Sequence, residues 1–240
     1  MFFSVVWYRI WPFALIMKQV IPFLFIFFVL SSCIEILDDI TFNKDGSGTF
    51  RYTLNLSSSQ VKINSILALD SLDGKKVPSL EDIQERFVFF SDYLAAQEGI
   101  SNVQIDTNYS KHIYKVKCDF TNIFALQSGF QNSLQATLKQ LESEEMSYEW
   151  IRWNGNVIIR KVPDIDKMSL PSLKSEDSDL LKKGNYTSIT RFENQIDSCD
   201  NPNANLSKNR KAVMLRKSVF DVINNHQVMD NIIYVDSTGK

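Results

Sequence analysis

Apolar and polar residues alternate with a period of two at the start of the chain's polar part. Ile34, Ile36, Ile40 and Phe42 share one face, interrupted by Asp38, and Phe50, Tyr52, Leu54 and Leu56 repeat the pattern. Period two is the mark of a half-buried strand. Between the runs lies Lys44-Asp45-Gly46-Ser47-Gly48, whose glycines tolerate positive φ, so residues 36–56 read as a β-hairpin. The period then lengthens. Ser57-Ser58-Ser59 can cap a helix in which Val61, Ile63, Ile66, Leu67 and Leu69 form a broad apolar side. Ser79 with Asp82 approximates a capping box before Ile83, Phe87, Phe90 and Leu94, and Gly99 closes this second helix.

Strand periodicity returns over residues 100–107 and 111–120, joined through Asn108-Tyr109-Ser110. In the second of these, His112, Tyr114, Val116, Cys118 and Phe120 point one way while Lys111, Lys115, Lys117 and Asp119 point the other, so one sheet face is wet. Ile123, Leu126, Phe130, Leu134, Leu138 and Leu141 recur every three or four residues, predicting a third helix over 122–145 capped by Asn122 or Thr121. Asn154-Gly155 is a strong hairpin signal. A two-residue loop there sets Ile151 opposite Ile158, Trp150 opposite Ile159 and Glu149 opposite Arg160. A surface connection at about 163–185 leads to strands near 186–192, 211–217 and 231–235 and a short helix over 218–225. These elements predict one α+β domain, with a mostly antiparallel sheet built from hairpins and packed on one side by about three helices.

The first 32 residues follow another rule. Arg9 and Lys18 are their only charges, and the run from Val20 to Leu30 is almost wholly apolar but too short to span a bilayer core comfortably. A signal peptide fits, with Met17 as an alternative start. The run ends in Leu30-Ser31-Ser32-Cys33, which resembles the lipobox of bacterial lipoproteins. The resemblance implies cleavage before Cys33, a diacylglycerol thioether on its sulfur and a fatty acyl (palmitate-type) group on the new amino terminus. A multiply acylated residue holds a protein on a membrane far more firmly than one chain does. The mature chain would then run from residue 33 to 240. Ile34, rather than Asp, after the cysteine implies the outer membrane of a Gram-negative cell envelope. The stretch from Cys33 to Gly48 also resembles the start of a group of uncharacterised envelope lipoproteins, and the succession of elements is distantly similar to the LppM-domain lipoproteins, which are associated with lipid binding.

Charge and chemistry narrow the function. The 26 Lys and Arg nearly balance 28 Asp and Glu, so no basic excess awaits nucleic acid. Only two histidines, His112 and His226, are present, with no G-x-S-x-G and no phosphate loop. No ligand spacing points to a metal, and no cofactor is expected. Cys118 and Cys199 can form a disulfide in an oxidising envelope or remain separate thiols. The expectation is therefore a non-enzymatic envelope lipoprotein anchored by Cys33, acting as a scaffold or interaction module for other envelope proteins. The alternative is a module for lipid or another hydrophobic ligand, with Phe87, Phe90 and Tyr114 lining its pocket. A cavity of several hundred Å³ would distinguish the second from the first.

Overall fold

The computed structural model describes residues 34–72, 74–139, 149–154, 156–162 and 181–236. Expectations for the lipobox, for Cys33 and for most of the 163–185 connection lie outside the described residues.

Strands β1 (Glu35–Phe42) and β2 (Gly48–Asn55) form the expected hairpin, pairing Ile40 with Phe50 and Asp38 with Tyr52. Asp45 shapes the turn by accepting hydrogen bonds from the Ser47 amide and hydroxyl, with Gly46 at φ 85°. Gly48 allows a close approach: a Cβ there would stand 2.0 Å from the Thr41 carbonyl oxygen. Helix α1 (Gln60–Leu67) follows a 3-10 turn at Ser57–Ser59, and a small ribbon of β3 (Ser71–Leu72) and β4 (Lys75–Lys76) leads on. Helix α2 (Leu80–Ala95) opens with a full capping box, the Ser79 hydroxyl accepting from the Asp82 amide and the Asp82 carboxylate from the Ser79 amide. Strands β5 (Ile100–Asn108) and β6 (Ile113–Phe120) form the second hairpin, and α3 (Ile123–Lys139) is capped by Asn122 through the Ala125 amide.

The remaining strands are β7 (Ile151–Asn154), β8 (Val157–Arg160), β9 (Asn185–Phe192), β10 (Ile196–Cys199), β11 (Asn205–Leu206), β12 (Ala212–Ser218) and β13 (Asn231–Val235). A short helix α4 (Val219–Asn224), capped by Ser218, precedes the last strand. A seven-stranded sheet runs β11-β12-β9-β1-β2-β6-β5, and a four-stranded one runs β10-β13-β8-β7. All neighbours are antiparallel except β1 and β9. The fold class is the expected α+β arrangement. The inner face of the large sheet meets α2, α3 and the small sheet in one core, which includes Ile40, Phe42, Phe120, Leu94, Leu126 and Ile158.

Three local expectations are corrected. Helix α1 has no buried residue and no side-chain cap, and Val61 is 82% exposed, because the helix lies at the border of the core rather than on it. In the last hairpin Asn154 faces Val157 and Ile151 faces Arg160, so the loop begins one residue later than Asn154-Gly155 implied. Both registers leave every side chain on the same face, so alternation alone cannot separate them. Arg160 turns away from Glu149 into the interior, and Glu149 pairs with Arg152 instead. Of the two states left open for Cys118 and Cys199, the structure has them as separate free thiols, Cys118 on β6 of the large sheet and Cys199 on β10 of the small one.

Candidate functional site

The inner face of the large sheet is not filled along its whole length. Between it and the helices lies a cavity of about 490 Å³, within the range of small-molecule sites. Ile83, Phe87 and Phe90 stand on its helix α2 side at the spacing that puts them on one stripe, and α3 adds Phe130, Gln131, Leu134 and Thr137. Strands β1 and β2 supply Ile36, Asp38, Phe50 and Tyr52, while Arg86 of α2 and Trp150, Lys161, Val162 and Tyr186 complete the lining. Aromatic contacts consolidate the wall. Phe130 meets Phe90 at 5.2 Å between centroids and Phe50 at 5.3 Å, both edge to face. Phe50 lies 5.6 Å from Trp150.

A second cavity of about 380 Å³ shares Tyr52, Ile83 and Phe87 with the first and extends past Leu54, Ile63, His112 and Tyr114. Helix α1 borders this end, contributing Ile63 to the lining and making polar contacts with the β5–β6 connection. His112 Nε2 lies 2.7 Å from Asn64 Oδ1, and Gln60 Nε2 donates to the Ser110 carbonyl. His112 itself is buried in the left-handed conformation at φ 52°.

All three residues singled out from the sequence as pocket lining take part. Phe87 lines both cavities, Phe90 the first and Tyr114 the second, and Phe90 also belongs to the buried core. Phe87 and Tyr114 touch at 5.8 Å between centroids. Periodicity gave no sign of the contributions from α3 or Trp150, since Leu134 and Phe130 read equally well as plain core.

The polar residues were also missed as a unit. Asp38 is 4% exposed and Arg160 is 3% exposed, and Arg160 Nη2 donates to Asp38 Oδ2 at 2.5 Å. Arg160 further donates to Ser188 and lies 5.2 Å from the Trp150 ring centroid. Burial raises the Asp38 carboxyl above its ordinary value, and the Arg160 charge opposes that rise. Burial and the Asp38 charge likewise hold the Tyr52 and Tyr186 phenols well above the usual tyrosine value, so both remain protonated. The signal for this pair was the single charge that interrupts the apolar face of β1. The adjacent Asp39 points to the opposite sheet face and bonds Arg191 at 3.1 Å, as strand alternation requires.

Among the described residues no cluster of three His, Cys, Asp or Glu side chains stands ready to hold a metal ion. No described helix is long and apolar enough to cross a membrane. Burial pushes the Cys118 thiol up to about 12, which makes it an inert thiol at neutral pH.

These features define an α+β domain with a largely apolar pocket between its helices and its large sheet. No protein-family model and no curated protein matches the chain. Among solved structures, it is similar to the NMR structure of the folded domain of the Mycobacterium tuberculosis LppM protein. The likeness covers 87% of this chain and 94% of that one, at 12% identity and a TM-score of 0.40. A TM-score of that size is too low for the likeness to bear on function.

Proposed function

We propose that the protein is a non-catalytic cell-envelope lipoprotein, held on the membrane by acylated Cys33, whose folded domain binds a hydrophobic or amphipathic ligand between its helices and its large sheet. The observation that carries this reading is the cavity of about 490 Å³ walled by Phe87, Phe90, Phe130, Leu134 and Trp150. A space of that size and apolarity excludes competing polar solutes and rewards apolar surface at ~25 cal/mol per Å² removed from water. It favours the ligand-binding alternative over the scaffold. The anchor rests on the lipobox sequence, and Ile34 leads straight from Cys33 into β1.

The test is saturable binding of an environment-sensitive fluorophore, N-phenylnaphthylamine, to the chain from residue 33 onward. Blue-shifted emission with a plateau near one fluorophore per protein is expected. Leu134→Trp, which places a larger ring in the cavity, should weaken binding at least about tenfold while leaving the circular dichroism spectrum unchanged. Unsaturable partitioning in both proteins would reject the reading.

A further inference from the structure

One carboxylate of the cavity lining is incompletely satisfied. Asp38 lines the larger cavity from the middle strand of the large sheet. Its Oδ2 is occupied, accepting from Arg160 and, at 3.5 Å, from the Tyr186 hydroxyl. Its Oδ1 is buried and has no hydrogen-bond partner among the described residues. A buried carboxylate oxygen without a donor is unfavourable by itself and is a ready acceptor for a donor that a ligand brings in. Tyr52 faces Asp38 across the β1–β2 ladder and lines both cavities, but Asp38 itself lines only the larger one, which is therefore the space that offers this oxygen to a ligand.

Resting on the cavity being a binding site, we infer that its ligand is an uncharged amphiphile that carries a hydroxyl and donates it to Asp38 Oδ1. Charge selects this class. The Asp38–Arg160 pair is formally neutral and the other charged residues of the lining, Arg86 and Lys161, are both cationic, so a ligand ammonium would meet like charge, and a ligand carboxylate has no hydrogen to give Oδ1. Either ion would also give up its hydration to walls that are almost wholly apolar. A hydroxyl loses less and needs one acceptor, which is what Oδ1 provides.

The test is displacement of bound N-phenylnaphthylamine from the chain beginning at residue 33, using four twelve-carbon compounds below their micellar concentrations. These are dodecanol, dodecyl methyl ether, dodecanoate and dodecylammonium. Dodecanol should displace the fluorophore at about tenfold lower concentration than the ether, which accepts but cannot donate, and also ahead of both ions. The double variant Asp38→Leu with Arg160→Met removes the pair together and should bring alcohol and ether within about twofold of each other. If that variant does not fold, the wild-type series decides. Equal displacement by alcohol and ether, or a preference for either ion, overturns the hydroxyl assignment while the cavity reading stands. Absence of saturable fluorophore binding in the wild type overturns the cavity reading itself.

Discussion

Asp38 and Arg160 show how much depends on removing charges singly or together. Asp38→Ala leaves the guanidinium buried without its counter-charge and should lower unfolding stability by about 3–5 kcal/mol in urea titration. The apolar double replacement should recover most of that loss, because neither ion then has to be desolvated. Asp119 gives a different signature. Hydrogen bonds from Asn102 and Thr49 hold its carboxyl below the ordinary value of 3.8. A lowered folded-state value means a stabilising contribution that is fully present above 3.8 and fades as pH falls through the lowered value. Asp119→Asn should therefore flatten the acid limb of the stability profile and leave the neutral limb's slope unchanged. A parallel downward shift at all pH values would show that the carboxylate's titration is not involved.

At the scale of elements, helices α2 and α1 behave as opposites. Ser79 satisfies the α2 amino end reciprocally, so Ser79→Ala should cost about 0.5–2 kcal/mol, read by thermal or urea unfolding. Helix α1 buries no residue fully, and Asn64 and Gln60 are among the contacts that attach it. Removing the Asn64 contact with Asn64→Ala should raise amide hydrogen exchange across residues 60–67 well before global stability falls. The elements themselves were largely legible in the sequence, because alternation and helical spacing report which face is buried. Whether an apolar stripe is packed or merely adjacent to a void is not encoded in its spacing. Hence Val61 and Leu126 read alike, although one is 82% exposed and the other fully buried. The hairpin register at Asn154 was likewise open to sequence reasoning only as far as the turn chemistry, since a shift of two preserves every face.

For the whole molecule, the candidate site was half visible. Phe87, Phe90 and Tyr114 stood out because aromatics at core spacing are candidates for both roles. Arg160 was paired instead with the nearby Glu149, because its true partner lies 122 residues away in sequence. The anchor belongs to this scale too. Cys33→Ala should abolish acyl mass in intact-protein mass spectrometry and move the protein out of the membrane fraction, and an unchanged distribution would remove the tether from the account.

The middle position of β1 has a mechanical corollary. The strand is paired along its full length with β2 on one side and β9 on the other, and its amino end is the end nearest Cys33. Were the proposed tether in place, a force applied at that end along the strand axis would load both ladders in shear, so that their bonds resist together rather than unzipping in turn. If Cys33 is acylated as proposed, a pull on the domain away from the bilayer is expected to extract the acyl chains before the sheet opens.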